Sequence, residues 1–313
     1  MEQPLARALR NRTVTLSDRD SASLDMELVF LDHSSEPLPV QSIENRILVG
    51  DSLPAIPRLP HAFADLLFVD PPYNLDKLFG ARPFRQVSDE AYARWFEEWF
   101  ELLLPTLKPS ASVYVCADWR STGVVQAVLG KHLLIRNRIT WEREKGRGAK
   151  TNWKNCAEDI WFATVSHQYT FRVEAVKVRR PVIAPYRHPD GRPKDWQVGP
   201  GGPFRDTHPS NLWTDLTVPF WSMPENTPHP AQKPEKLLAK VILASSNPGD
   251  LVLDPFLGSG TTAAVAKKLG RRYVGIEIDP IYCRLAQKRV MLAETHQAIQ
   301  GYHDGVFWGR NTR

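Results

Sequence analysis

Cysteine is scarce in this 313-residue chain: Cys116, Cys156 and Cys283 stand far apart, are odd in number and form no Cys-x-x-Cys pair. That usage excludes a disulfide framework and a thiolate zinc site, and it suits a reducing compartment. The nine histidines fall at no ligand spacing either, so no metal is expected. No apolar run approaches the roughly 18 residues of a membrane span. Residues 1–20 are polar and Arg-rich, without the apolar stretch of a secretory signal. A cytoplasmic location away from membranes is therefore expected. Two further absences narrow the chemistry. Gly260 is followed by Thr261 and Thr262 rather than the lysine of a phosphate-binding P-loop. Position 263 is Ala where a dinucleotide fingerprint needs glycine.

What the chain does have is the composition of a soluble globular protein, 42% apolar and 24% charged, and length for one large or two ordinary domains. The short apolar run Leu66-Leu67-Phe68-Val69 closes on Asp70-Pro71-Pro72-Tyr73. Such a run reads as a buried strand that stops abruptly. The prolines fix the backbone and carry no N–H, so the Asp70 carboxylate and the Pro71 carbonyl are left as outward-facing acceptors. In an open α/β sheet that carboxyl end is where ligands sit. Tyr73 adds an aromatic face. A planar group with an N–H₂ edge, such as an unstacked nucleobase, fits these three features. A plain strand-ending turn would also account for the residues.

Near the other end, a strand at 251–253 runs into Asp254-Pro255-Phe256-Leu257-Gly258-Ser259-Gly260-Thr261-Thr262, then a helix over 263–269 and a strand over 272–278. Glycines admit a ligand close to the backbone, and the helix N-terminus faces it. Glu277, some 20 residues after the loop, is placed to grip ribose hydroxyls, with Asp279 beside it. With P-loop and dinucleotide patterns excluded, an adenosine-bearing cofactor without pyrophosphate remains, for which S-adenosylmethionine is the natural candidate.

Between these blocks the pattern alternates. Strands are expected at 46–49, 111–117, 133–141 and 159–165, helices after Ser88 and at 122–129, and a loop over the strand ends at 74–87. The stripe Tyr92, Trp95, Phe96, Trp99, Leu102 and Leu103 has helical spacing and reads as core. Lys108-Pro109-Ser110 should end that element. Twelve of the 26 prolines lie between Pro181 and Pro234, a density expected to leave no helix or long strand. Helices resume at 235–245 and about 280–293. Residues 136–210 hold 15 Lys/Arg against 8 Asp/Glu, interleaved with aromatics, which suits a phosphate backbone. Arg179, Arg180, Arg187 and Arg192, flanked by prolines and a turn, are the candidate contacts to such a backbone.

The two blocks together resemble motifs I and IV of the amino-methylating, site-specific DNA methyltransferases, in the permuted β-class order with the catalytic motif first. Gly50-Asp51-Ser52-Leu53, Asn211-Leu212-Trp213 and His229-Pro230-Ala231-Gln232-Lys233-Pro234 support the match, and the last is similar to a string common in adenine-N6 members. The resemblance covers about residues 46–292. It implies a Rossmann-like α/β fold, a mixed, mostly parallel sheet flanked by helices with a loop-rich target-recognition insertion. The expected divisions are an N-terminal extension (1–45), a catalytic half (46–165), the recognition region (166–228), the cofactor half (229–295) and a tail (296–313). Asp70, Pro71, Pro72 and Tyr73 would hold a flipped base. Asp254, Phe256, Gly258 and Gly260 would wrap the methionine end of S-adenosylmethionine, with Ser52, Thr261, Thr262 and Asp279 in the same set. Glu277 would bind ribose, Asp51 would lie near adenine, and Lys233 would neutralise the cofactor carboxylate. The implied partner is double-stranded DNA, with a companion restriction endonuclease and a homodimer left open. Cytosine-N4 methylation and a non-catalytic DNA-binding protein on this fold are the alternatives. Cytosine-C5 chemistry is excluded, because it uses a cysteine that typically follows proline and Val115, Asn155 and Tyr282 precede the three cysteines.

Overall fold

A computed structural model describes residues 10–17, 20–79, 82–143, 150–183 and 186–310. The chain opens with α1 (Asp20–Asp25), β1 (Val29–Phe30), α2 (Val40–Ile43), β2 (Arg46–Val49), α3 (Ser52–Ala55) and β3 (Ala64–Val69). A ribbon of β4 (Lys77–Phe79) and β5 (Arg82–Phe84) leads to α4 (Asp89–Leu103), β6 (Leu107–Ala117) and α5 (Thr122–His132), then β7 (Leu134–Glu142) and β8 (Ala157–Thr164). Four short strands follow: β9 (Val178–Pro181), β10 (Gln197–Gly199), β11 (Gly202–Thr207) and β12 (Leu212–Trp213). The chain then returns to longer elements with α6 (Glu235–Ser245), β13 (Leu251–Asp254), α7 (Thr261–Lys268), β14 (Arg272–Glu277) and α8 (Pro280–Thr295), and ends in the hairpin β15 (Tyr302–His303) and β16 (Val306–Phe307).

Nine strands form one sheet in the order β1-β2-β14-β13-β3-β6-β8-β7-β12. Pairing is parallel from β1 through β6, and β8 runs antiparallel to both β6 and β7. Side chains alternate across a strand, and β3 shows the consequence. Leu66 and Phe68 join a core with α6, α7 and α8, while Leu67 and Val69 join one with α4 and α5. A strand covered on both faces reads as a continuous apolar run, as this one does. Because Val252 pairs with Leu66 and Leu253 with Leu67, the carboxyl ends of β3 and β13 lie side by side. The sheet thus brings Asp70 and the Asp254 loop together from opposite ends of the chain.

Several expectations need correction. Strand β6 starts at Leu107 and passes through Pro109, because a register shift opposite Ala64 and Leu66 absorbs the missing N–H. Residues 74–87 contain the β4–β5 ribbon rather than loop alone. The proline-rich region also forms regular structure: β11 pairs along β9 from Phe204 to Thr207 and joins a five-stranded sheet. Pro203 loses a donor but keeps its acceptor, which takes the Val182 N–H at 3.0 Å. On α4, capped by Ser88 through the Ala91 N–H, the buried set is Tyr92, Phe96, Trp99, Phe100 and Leu103, and Leu102 faces solvent.

The described residues between 10 and 45 lie over the core. Strand β1 extends the sheet, Asp25 and Asp20 pair with Arg284 and Lys288 of α8 at 2.7 Å, and the Val14 N–H donates to the Asn226 carbonyl. Helix α6 is buried along its whole length. Its Lys240 and Lys236 meet Asp215 at 2.5 and 3.0 Å, and Lys236 also donates to the Trp308 carbonyl of the tail. Among the described residues no helix is long and apolar enough to cross a membrane.

Candidate active site

The end of β3 is braced from two sides. The Tyr73 hydroxyl donates to Asp70 Oδ1 at 2.8 Å, and Lys233 Nζ donates to Oδ2 at 2.5 Å. Each oxygen keeps a further lone pair. Behind them, Tyr92 of α4 donates to the Pro72 carbonyl at 3.0 Å. Asn74 exchanges two 2.9 Å bonds with the Val87 backbone, closing the intervening loop. Burial, then the Asp70 and Glu158 carboxylates, push the Tyr73 phenol well above its ordinary pKa, so it stays a donor. Tyr73→Phe should therefore lower turnover about 3–10-fold, the worth of one such hydrogen bond. Tyr73→Ala, which removes the aromatic face as well, should cost on the order of 1–3 kcal/mol, the worth of one planar ring stacked on it. Steady-state rates of the two variants check this, and equal losses would deny the ring a role of its own.

The loop after β13 folds on its own side chains. Asp254 Oδ1 accepts the Phe256 N–H at 3.0 Å, and Oδ2 accepts the Thr262 hydroxyl at 2.6 Å. Burial raises its carboxyl to about 7. Ser52 donates to the Pro255 carbonyl, and Thr261 donates to the Lys233 carbonyl at 3.0 Å. Gly258 and Gly260 sit at φ 55° and 79°, in the left-handed region that favours glycine. Glu277 takes the Gly258 N–H on one oxygen and the Asp279 N–H on the other, both at 2.8 Å, and burial raises its pKa. Asp279 caps α8 through the Ile281 N–H, and Asp51 caps α3 through the Leu53 N–H. Ser52, Thr261 and Thr262 are thus engaged in shaping the loop itself.

Both sets line one cleft of about 820 Å³. All of the sequence-derived base and cofactor residues border it except Gly260, which packs against Ala286 of α8. Three placements differ from expectation. Lys233 stands on the Asp70 side, with Glu158 3.6 Å away, rather than free for a cofactor carboxylate. Trp95, read as core, borders the cleft beside Phe84. Arg179 spends its fork on Asp206, at 2.8 and 2.7 Å, within the small sheet. Of the other arginines, Arg180 is exposed, Arg187 donates to the Gly191 carbonyl and lies over Trp196, and Arg192 pairs with Asp190. None of the four lines the cleft, and residues 144–149 and 184–185 of the basic segment lie outside the described residues.

Glu158 and Arg143 of the cleft escaped sequence reading. Glu158 is buried on β8 and paired with Arg143, just past β7. An acid set into the run Ala157-Glu158-Asp159-Ile160-Trp161 is the available signal, but a strand read from residue 159 leaves it out, whereas β8 starts at Ala157. Glu97, Glu101 and His132 also converge, outside the cleft, where Lys131 already holds both Glu97 oxygens.

The family model described as DNA methylase, of the N6 and N4 type, matches residues 64–288. The DNA adenine methyltransferase YhdJ of Escherichia coli (strain K12) is 33% identical over 270 residues, covering 84% of this chain and 88% of that protein. The type II methyltransferase M.HpaI of Haemophilus parainfluenzae is 31% identical over 251 residues, 79% and 74% of the two chains. A crystal structure of an M1.HpyAVI–SAM complex superposes with a TM-score of 0.52 at 22% identity, covering 78% and 98%, a likeness of fold. With the model spanning both sides of the cleft and such identity over four fifths of its length, this chain belongs to the DNA methylase family of N6 and N4 methyltransferases.

Proposed function

We propose that this DNA methyltransferase carries the methyl group of S-adenosylmethionine to the exocyclic N6 of an adenine flipped out of double-stranded DNA at a specific sequence. The observation that carries the reading is the Asp70 carboxylate, fixed by Tyr73 and Lys233 beside Pro71, in one cleft with the Asp254–Gly260 loop.

The donor set fits that cofactor. Seven carboxylates line the cleft against two cations, Arg143 and Lys233, which are paired with Glu158 and Asp70. Such a lining favours a cationic sulfonium and disfavours a pyrophosphate. Asp51, Asp254, Gly258 and Glu277 are the residues proposed to hold it. Bound there, the cofactor would supply a methyl already activated for attack, so no covalent enzyme intermediate is needed. The chain's own task is the amine, whose lone pair is delocalised into the ring. Accepting its two N–H bonds at Asp70 and the Pro71 carbonyl favours a pyramidal nitrogen and frees that lone pair. The same acceptors stabilise positive charge as it develops on nitrogen. Holding nitrogen in line with the methyl supplies much of the remaining acceleration.

Aspartate at position 70, the 229–234 string and the name of the YhdJ relative support adenine over cytosine-N4. Nucleosides from DNA methylated by the purified protein should contain N6-methyladenine. N4-methylcytosine instead would overturn the adenine assignment, and no methylated base at all would leave the non-catalytic alternative.

DNA contact is proposed for the basic segment, with Arg180 and Arg192 as the leading phosphate partners and Arg187 beside them; Arg179 serves the small sheet. Affinity should fall steeply with salt, and Arg180→Ala or Arg192→Ala should each lower the slope by about one. Wild-type salt dependence in both would move recognition to residues 196–221. The type II designation of M.HpaI supports a companion endonuclease, and gel filtration with and without DNA would test a homodimer.

A further inference from the structure

We infer that Glu158 is a positioning residue for methyl transfer, acting through Lys233 on Asp70; this rests on the reading of Asp70 as the amine acceptor. Its side chain is 5% exposed. Arg143 Nη1 holds Oε1, while Oε2 is buried without a hydrogen-bond partner among the described residues and lies 3.6 Å from Lys233 Nζ. Lys233 Nζ in turn is 2.5 Å from Asp70 Oδ2 and 3.3 Å from the Tyr73 oxygen. Charges therefore alternate in sign along Asp70, Lys233, Glu158 and Arg143. The four come from the end of β3, the turn before α6, strand β8 and the end of β7.

The alternation has a physical consequence. An ammonium shared between two carboxylates neutralises neither fully, so Asp70 keeps negative charge for the substrate amine while Lys233 and Tyr73 fix its two oxygens. With Glu158 gone, the ammonium already 2.5 Å from Asp70 would keep that carboxylate as its remaining counter-charge and draw more of its negative charge away from the amine N–H. Arg143 balances Glu158 from the far side, which spares the site an uncompensated buried charge. A purely structural brace between β8 and the turn before α6 would give the same contacts, but its loss would change stability rather than turnover.

Glu158→Gln keeps the side chain's size and separates the two. We expect kcat to fall about 10–100-fold through misplacement of Asp70, with both KM values within about twofold of wild type. The pH profile adds a readout that a brace would not move. Lys233 faces Asp70, Tyr73, Glu158 and Cys116. Burial opposes its charge, and Asp70 and Glu158 more than restore it. Removing one carboxylate lowers the pH at which the ammonium is lost. The variant's rate should therefore decline on the alkaline side where the wild type is still level. In a Lys233→Met background, adding Glu158→Gln should cost nothing more, as expected of groups acting in series. Should Lys233→Met not fold, the kcat and pH arms decide alone. Unchanged kcat with an unchanged pH profile, or an equal further loss in the Met background, overturns the inference. Wild-type protein that methylates no DNA amine would overturn the reading of Asp70 instead.

Discussion

Asp70→Ala should lower methyl transfer by at least about 10²–10³-fold, the usual loss when an acceptor or donor aimed at developing charge is removed. Cofactor affinity should survive. Asp70 borders the cleft from the end of β3, whereas the loop that would hold the cofactor is built by β13, Glu277 and Ser52. The change also takes away the acceptor of the Tyr73 hydroxyl and leaves Lys233 with Glu158 as its remaining carboxylate. Calorimetric titration with S-adenosylmethionine beside single-turnover kinetics separates the outcomes. Equal loss of affinity and rate would reassign Asp70 to the cofactor.

Gly260→Ala carries the other large effect, and here the loss falls on the fold of the loop. A Cβ at this position would lie 2.4 Å from Ala286 Cβ and 2.6 Å from its Cα, so backbone of α8 would have to move. The φ of 79° adds the left-handed penalty for any L residue. Together these should cost about 2–5 kcal/mol, combining left-handed strain with overpacking. Cofactor binding should disappear, because Gly260 is the N-cap residue of α7 and its displacement moves Thr261 and Thr262. Gly258→Ala is the useful contrast. Its Cβ would meet the His229 ring at 3.1 Å, a side chain rather than backbone. Thermal unfolding of the two variants should rank Gly260→Ala as the more damaged, and the reverse order would mean that α7 and α8 are not tightly apposed in solution.

The parts of the site that sequence disclosed are those whose meaning is local. The apolar run before Asp70 and the glycines after Asp254 each declare a strand end and a close backbone approach within ten residues. The parts it hid depend on register. Arg179 counts as one more positive charge until β9 is laid against β11, where Asp206 is its directly opposed neighbour. Lys233 looks available until the turn before α6 is brought to the end of β3. Trp95 has the helical spacing of core residues, yet on α4 it falls at the edge of the buried face and borders the cleft. Prolines mislead in a related way: they remove donors, so strands carrying them are disfavoured, but β11 uses the carbonyl that Pro203 retains.

The strand order has a consequence for how the protein comes into being. Strands β2 and β3 follow one another in the chain, yet β14 and β13, made much later, are wedged between them. While the chain emerges from the ribosome, the facing edges of β2 and β3 stand unpaired, and such edges recruit other strands indiscriminately. Closing the sheet requires contacts between residues near 47 and 275, so the search is long and assembly should be slow. An abandoned chain that ends before β13 therefore carries the Asp70 motif on an unfinished sheet, with neither a cofactor loop nor a settled β3. Synthesis interrupted before β13 and β14 should therefore yield aggregation-prone material without a complete cleft.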